Sequence, residues 1–532
     1  MRVGLCQLNP VVGDLVANAE AIIDAYRAVA GSGARIAVFG ELAVCGYPPE
    51  DLVLKRRFLT DCRAQVDRIA AATGDCVAVV GFPEAGEGGH RFNSAAICRG
   101  GRVEQVYRKV ELPTYDVFDE ERWFEPGPAD QPLIEVDGTL VGISICEDVW
   151  VVDGPTVAQG RAGAGLLVNI NASPFHRDRL AEREPMLFSQ AAAADATIVY
   201  VNQVGGQDDL VFDGGSMVVG PEGTVRHRLA QFSAAISVVE TDDTGAVEPH
   251  LDLTGQIWNA LVLGTRDYVR KNGFSDVVIG LSGGVDSSIV AAIATDALGA
   301  GAVHGVLMPS RYSSEGSVTD ADRLCDNLGI DRRTIAIEPA HAAFTAMLAP
   351  SFEGRAEDLT EENLQSRLRG LTLMALSNKF GWMVLTTGNK SESAVGYSTL
   401  YGDTAGGLAV IKDVYKLTVY ELCRWRNDQG DGERIPPGVL TKPPSAELRP
   451  DQRDDQSLPP YEVLDPLLEA YIDGDSTEAD LVDAGGDPAL VARICRLVDL
   501  AEYKRRQSPP GLRVMRKAFG RDRRLPITNR YR

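Results

Sequence analysis

Apolar residues recur along this chain at two spacings. Residues 3–8 form a short strand-like run, and Leu15, Ala19, Ile22, Tyr26 and Val29 then fall on one helical face. Asp14 or Asn18 can cap that helix, and Gly31-Ser32-Gly33 ends it. A second strand at 36–39 delivers Glu41 just past its C-terminal end, where α/β folds place chemistry. Further strand-like runs lie at 76–80, 94–98, 103–110, 140–145, 166–170, 198–202 and 216–219. Hairpin turns are read at Gly100-Gly101 and Pro221-Glu222-Gly223. This half of the chain therefore predicts a strand-rich, layered α/β domain.

The pattern changes near residue 240. The segment ETDDTGAVEPHLDLTG is acidic, short of large apolar residues and interrupted by Pro249, and reads as a connection. A helix is expected over 257–268. Val277, Val278 and Ile279 then form a buried-strand run, followed by a glycine turn and the helical segment IVAAIATDAL. A strand at 303–308, a helix at 364–379 and a strand at 382–387 continue an alternation that predicts a doubly wound parallel sheet. The expected organisation is 1–245 as one domain, 246–256 as linker and 257–532 as a second.

Composition narrows the class. A chain of 532 residues with 44% hydrophobic content implies two or three globular domains. No run of eighteen apolar residues occurs, and Met1-Arg2-Val3 leads straight into a strand, so neither a membrane span nor a signal peptide is expected. Nine cysteines without CxxC spacing suit reduced thiols in a cytoplasm, and six histidines argue against a His-based metal centre. The net charge of −22 disfavours nucleic-acid binding. The charge is uneven, because from Lys504 onward eleven Lys or Arg accompany a single Asp. Such a tail reads as a solvated or interface segment that could also meet an anionic substrate.

Two stretches carry candidate chemistry. In GLSGGVDS, Gly280, Leu281, Ser282, Gly283, Gly284, Val285, Asp286 and Ser287 join a strand to a helix start. Exposed N–H groups and the helix dipole make that junction a phosphate cradle. No lysine follows the glycines, so a kinase-type P-loop is disfavoured. In the first half, Cys146 ends the strand VGISIC, Lys109 ends VEQVYRK, and Glu41 lies in FGEL. A thiol nucleophile needs a base, and an acyl-transfer site needs a cation or N–H donors for the developing oxyanion. Taken singly, each has an ordinary structural explanation as a buried thiol, a solvated ammonium or a surface carboxylate.

The surrounding strings decide between these readings. GLSGGVDS resembles the loop of the ATP pyrophosphatases, which cleave ATP between its α and β phosphates to form adenylates. FGEL with CGYPPEDL, YRKVELPTYDVFDE and GISICEDVW together resemble the nitrilase, or carbon–nitrogen hydrolase, superfamily. That resemblance implies a four-layer αββα sandwich in which Glu41 is general base, Lys109 stabilises the oxyanion and Cys146 is acylated, the backbone N–H of Glu147 assisting. Tyr115, Glu147, Ser173 and Arg179 match positions at which glutamine-hydrolysing members hold the amino-acid end. An arginine suits that task, because its fork pairs bidentately with a carboxylate.

In the second half, VLTTGNKSESAVGYSTLYGD, ENLQSRLRG and KPPSAEL resemble the NAD synthetases, and the closing run from Glu502 resembles their glutamine-dependent bacterial members. The family resemblance implies an ATP-pyrophosphatase sheet of the adenine nucleotide alpha hydrolase-like type. It places ATP on Gly280–Ser287, Thr387, Lys416 and Ser445, and Mg2+ on Asp286 and Glu392. Nicotinate adenine dinucleotide (deamido-NAD) falls near Asn363, Arg367, Glu392 and Lys504. Where ammonia-using synthetases carry a lysine before Tyr401, this chain has Leu400, so that contact does not carry over. The substrates implied are glutamine, ATP and deamido-NAD, with ammonia passing between two sites of a homo-oligomeric enzyme. Another ATP-pyrophosphatase amidotransferase, or a nitrilase-like amidase with a nucleotide-sensing module, is the alternative.

Overall fold

The computed structural model describes residues 1–530 other than Asp431, Asp451, Arg453 and the side chain of Asp455. It divides into two compact units, Met1–Asp252 and Leu253–Arg532.

The first unit holds β1 (Arg2–Gln7), β2 (Ile36–Val38), β3 (Val77–Ala85), β4 (Arg91–Arg99), β5 (Arg102–Arg108), β6 (Ile134–Val136) and β7 (Thr139–Ile145). It continues with β8 (Leu166–Asn171), β9 (Thr197–Asn202), β10 (Val204–Gln207), β11 (Leu210–Asp213), β12 (Met217–Val219), β13 (Val225–Arg228) and β14 (Ala235–Glu240). Two six-stranded sheets run in the orders β14-β1-β2-β3-β4-β5 and β13-β12-β9-β8-β7-β6. Alternation along each strand sends one set of apolar side chains inward between the sheets, with Val3, Leu5, Val38 and Val79 packing against Ile143, Val168 and Val201. The outward set of the first sheet packs under α1 (Leu15–Gly31) and α2 (Arg56–Ala71) through Ile22, Tyr26, Cys62 and Val66. The second sheet is covered by α3 (Pro155–Arg161) and α4 (Arg179–Ala194), with Leu187 and Ala191 against Ile198 and Tyr200. The order helix, sheet, sheet, helix is the expected αββα sandwich. Asp14 caps α1 by accepting the Ala17 N–H at 3.2 Å.

The second unit has a parallel five-stranded sheet ordered β17-β16-β15-β18-β19: β15 (Val277–Gly280), β16 (Val303–Leu307), β17 (Asp331–Thr334), β18 (Met383–Thr386) and β19 (Leu408–Ala409). It is wound with α5 (Leu253–Lys271), α6 (Val285–Leu298), α7 (Glu315–Leu328), α8 (Glu338–Leu348), α9 (Leu359–Phe380), α10 (Lys390–Val395) and α11 (Lys416–Asn427). On one face Val278, Val306 and Val384 pack against Leu373 of α9. The alanine-rich α6 is buried along most of its length. Strand order reverses at β15, whose neighbours β16 and β18 lie on opposite sides, and that switch point is where such sheets bind ligands.

Some boundaries differ from the sequence reading. β14, for which no strand was expected, ends on Glu240, the first residue of the segment read as a connection, and AISVVE pairs antiparallel with β1 along its whole length. Helix α5 begins at Leu253, so its first turn lies inside the expected 246–256 spacer. The basic tail is woven into the unit instead of standing in solvent. Arg505 donates to the Ala394 and Val498 carbonyls at 2.7 Å each, and Arg513 pairs with Asp522 at 2.9 Å. Lys517 pairs with Asp475, and Arg523 donates to the Tyr471 carbonyl. The last basic residue, Arg532, lies outside the described residues.

Candidate active sites

Strand ends bring the first constellation together. Cys146 begins a short 3-10 turn, Cys146–Val149, directly after β7, and its φ of 44° is the left-handed conformation that a side chain rarely adopts. Glu41 follows β2, and Lys109 follows β5. All three are buried. Lys109 Nζ donates to Glu41 Oε1 at 2.7 Å and to both oxygens of Glu120 at 2.9 and 2.8 Å. Glu41 also accepts from Asn93 Nδ2 at 2.7 Å and from the Ala172 N–H at 3.0 Å. Tyr47 OH donates to Glu120 at 2.9 Å.

The charges in this pocket act on each other. Burial alone would depress the Lys109 ammonium, but Glu120 and Glu41 against it hold it well above the ordinary lysine value. Burial pushes Glu120 up to about 7, with Lys109 opposing and Glu41 adding to the rise. Burial, reinforced by Glu41 and opposed by Lys109, raises the Cys146 thiol far above a free cysteine. The resting nucleophile is therefore a neutral thiol beside a carboxylate, and its proton must leave as attack begins.

Asp148, two residues beyond the thiol, is fully buried and accepts from four donors. Oδ1 takes the N–H groups of Val110 and Glu111 at 3.1 and 2.9 Å, and Oδ2 takes Ile145 N–H and Tyr107 OH at 2.9 Å each. One carboxylate thus ties the lysine-bearing strand end to the cysteine turn.

The four residues expected at the amino-acid end fall into two pairs. Tyr115 OH lies 2.9 Å from both oxygens of Glu147. Arg179, the first residue of α4, donates from Nε to Ser173 Oγ at 3.3 Å, lies 4.0 Å above the Trp150 ring and reaches Glu182 at 3.6 Å. Helix α4 is itself anchored by Arg183, whose guanidinium pairs with Asp213 at 2.8 Å inside the core.

In the second unit a cleft of about 750 Å³ opens at the C-terminal ends of β15, β16 and β18. Gly280, Leu281, Ser282, Gly284, Val285, Asp286 and Ser287 line it, as do Thr387, Glu392, Lys416, Ser445, Asn363 and Lys504. Gly283 lies behind this lining with φ of 74°, and a Cβ there would stand 2.1 Å from the Ser317 carbonyl oxygen. Only glycine fits that position. Ser282 and Ser287 brace the loop, their hydroxyls 3.2 Å apart. Asn363 accepts from Thr399 Oγ1 at 2.7 Å, and Lys504 donates to the carbonyls of Gly396 and Ser398 at 2.7 Å each. Ser445 Oγ donates to the Gln452 carbonyl at 2.6 Å. Arg367 is the exception among the expected contacts. It is exposed, donates to the Leu400 carbonyl at 3.3 Å and is absent from the lining, whereas Arg369, two residues further along helix α9, faces the cleft.

Buried Lys416 stands between the two expected metal carboxylates, bonded to Asp286 and 3.3 Å from Glu392 Oε1. Asp286 also accepts from Asn389 Nδ2 at 2.9 Å. Burial pushes Glu392 up to about 8, with Lys416 opposing and Asp286 adding to the rise. Among the described residues no three His, Cys, Asp or Glu side chains cluster as a metal cage. Two oxygen donors on a cleft wall nevertheless fit a hard divalent ion that keeps most of its shell for phosphate and water.

Glu120, Asn93 and Asp148 escaped the sequence reading. Glu120 lies in the acidic string VFDEER, and Asp148 in CED, where neither composition nor period separates a buried carboxylate from a surface one.

A thiol–ammonium–carboxylate pocket on an αββα sandwich, followed by a glycine-loop cleft on a doubly wound sheet, defines a carbon–nitrogen hydrolase joined to an NAD synthase. The family models of those descriptions match residues 2–247 and 257–508 respectively. The glutamine-dependent NAD(+) synthetase of Xylella fastidiosa is 48% identical over all of this chain and 99% of its own length, and that of Thermotoga maritima 43% over the same shares. The solved structure of the Acinetobacter baumannii glutamine-dependent NAD+ synthetase, in complex with ADP, matches with a TM-score of 0.81 at 40% identity, covering 99% of this chain and 98% of that one. The chain belongs to the glutamine-dependent NAD(+) synthetase family.

Proposed function

We propose that the chain forms NAD from deamido-NAD, taking the nitrogen from glutamine and the driving force from ATP, with glutamate, AMP and pyrophosphate as the other products. The observation that carries this reading is the presence, in one chain similar end to end to such synthetases, of both an acyl-transfer pocket and an adenylation cleft.

In the pocket, Tyr115, Glu147, Ser173 and Arg179 hold the α-amino and α-carboxylate groups of glutamine. Glu41 takes the Cys146 proton as sulfur attacks the amide carbon, and the oxyanion forms against Lys109 and the Glu147 N–H. Glu41 then returns the proton to the departing nitrogen, and water hydrolyses the thioester to glutamate. Asn93 and the Ala172 N–H keep the Glu41 carboxylate oriented throughout.

In the cleft, the Gly280–Ser287 loop, Thr387, Lys416 and Ser445 hold ATP. Asn363 and Lys504 hold deamido-NAD, and Arg367 would reach it only from the rim. Asp286 and Glu392 would hold Mg2+, which supplies charge neutralisation at the triphosphate. The nicotinate carboxylate attacks the α-phosphorus and pyrophosphate leaves; ammonia attacks the acyl-adenylate and AMP leaves. Ammonia released into neutral water becomes ammonium, which is no nucleophile, so a protected passage between the sites belongs to this reading.

Buried unpaired cysteines support a reducing compartment such as the cytoplasm. No helix among the described residues is long and apolar enough to cross a membrane. Homo-oligomeric assembly is part of the same reading. The deciding experiment measures glutamate, NAD, AMP and pyrophosphate together, omitting each substrate in turn. Equal yields of glutamate and NAD are expected, and an enzyme that forms no AMP from deamido-NAD would overturn the reading.

A further inference from the structure

Helix α9 presents one face to the synthetase cleft, with Asn363, Ser366, Arg369, Gly370 and Leu373 all on the lining. Arg369 stands apart from the other cations there. Lys416 pairs with Asp286 and Glu392, Lys442 lies 3.1 Å from Asp320, Arg449 lies 3.7 Å from Glu362, and Lys504 donates to two carbonyls. Arg369 makes one hydrogen bond, from Nε to the Met308 carbonyl at 3.2 Å, and among the described residues no carboxylate lies within ion-pair distance of it.

This guanidinium is mostly buried. Burial lowers its proton affinity to about 10, with Glu447 the one charge opposing the shift. Withdrawing a cation from water without a partner is costly, and such groups persist where a ligand completes them. With Nε held by Met308, the two terminal amino groups are left as a fork, the geometry that matches two oxygens of one phosphate. The fork lines the same cleft as the glycine loop, and Met308, which holds it, adjoins that loop. A Cβ on Gly280 would come 3.1 Å from Met308 Cε and 3.3 Å from Leu373 Cδ1, the residues at the strand end and one helical turn beyond Arg369.

We propose that Arg369 is a phosphate receptor of the synthetase cleft, its terminal amino groups donating to phosphate oxygens of a bound nucleotide. The phosphate belongs either to the chain of ATP or to the pyrophosphate of the dinucleotide. The proposal rests on the reading of this cleft as an ATP-dependent NAD synthetase site.

The test uses the full-length protein as Arg369→Gln and Arg369→Lys, with ammonium in place of glutamine so that only the cleft is read. KM is measured separately for ATP and for deamido-NAD, and the binding of ADP and of adenosine is titrated at fixed ionic strength. Losing a charged hydrogen-bond pair raises one KM by roughly tenfold or more in Arg369→Gln, with Arg369→Lys recovering part of the loss. A rise for ATP with weaker ADP binding and unchanged adenosine binding assigns the ATP chain. A rise for deamido-NAD alone assigns the dinucleotide. Both KM values within about twofold of wild type, or equal losses for ADP and adenosine, overturn the proposal. If Arg369→Gln fails to fold, the lysine variant carries the same comparison, since it keeps the charge and removes the fork. Wild-type protein that forms no NAD would overturn the assigned reaction, while the ADP and adenosine titrations would still judge the arginine.

Discussion

Glu41 receives three donors, from Lys109, Asn93 and the Ala172 backbone, which leaves its carboxylate little freedom to rotate. That restraint suits a base that must take a proton and return it in one turnover. Cys146→Ala is expected to abolish glutamate release and glutamine-driven NAD formation while ammonium-driven NAD formation persists; steady-state assays with each nitrogen source decide it. Asp148 acts on the same chemistry through others. Asp148→Asn replaces an acceptor of four hydrogen bonds by a group with one acceptor oxygen and an unwanted donor, loosening the Lys109 strand end against the Cys146 turn. Small misplacements of reacting groups cost up to about a hundredfold in rate, so a fall in glutaminase kcat of roughly ten- to a hundredfold is expected. KM for glutamine and the rate with ammonium should change far less. An equal loss with both nitrogen sources would show general destabilisation instead.

At the scale of elements, both candidate sites sit where strands stop. The cysteine turn and the glycine loop are local devices, each a strand end followed by one positive-φ residue, Cys146 or Gly283, and each was legible through the short string around it, GISICEDVW or GLSGGVDS. Gly283 shows how tightly the loop is set. Gly283→Ala would force a left-handed side-chain residue and drive its Cβ into the Ser317 carbonyl at the start of α7. Ammonium-driven NAD formation in that variant should fall more than tenfold, while glutaminase activity at Cys146 survives, a split that paired assays on one preparation would reveal. Less legible were elements defined by partners. AISVVE is a strand because β1 offers it an edge, and α9 turns Arg369 to the cleft and Arg367 to solvent although ENLQSRLRG contains both.

For the whole molecule, pH dependence follows from carboxyl groups held above their ordinary values. Glu392 is protonated up to about 8 in the folded state, against an ordinary 4.5, mainly because it is buried. Between those values the folded chain binds a proton that the unfolded chain does not, so stability falls as pH rises through that window. Glu392→Gln removes this contribution. Its melting temperature without nucleotide should depend less on pH between about 4.5 and 8 and exceed that of wild type at the upper end, as read by thermal scans across that range. A variant whose melting curve tracks wild type at every pH would mean that Lys416 keeps Glu392 ionised throughout.

By itself the sequence determined the two fold classes, the glycine loop, the thiol, its lysine and its carboxylate. The strand and helix alternation and the glycine loop rest on backbone preferences and periodicities that neighbouring residues carry, whereas the thiol, lysine and carboxylate were singled out only by the family-like strings around them, FGEL, YRKVELPTYDVFDE and GISICEDVW. Only the tertiary structure decided that Glu120 joins Lys109, that Asp148 ties the lysine strand to the cysteine turn, and that Lys416 stands between Asp286 and Glu392. It also decided that the basic tail is built into the second unit and that Arg369 faces the cleft with no carboxylate partner among the described residues. The reason is physical. Burial and charge pairing arise between residues far apart in the chain, so the same glutamate, lysine or arginine is a solvated surface group in one fold and the pivot of a site in another.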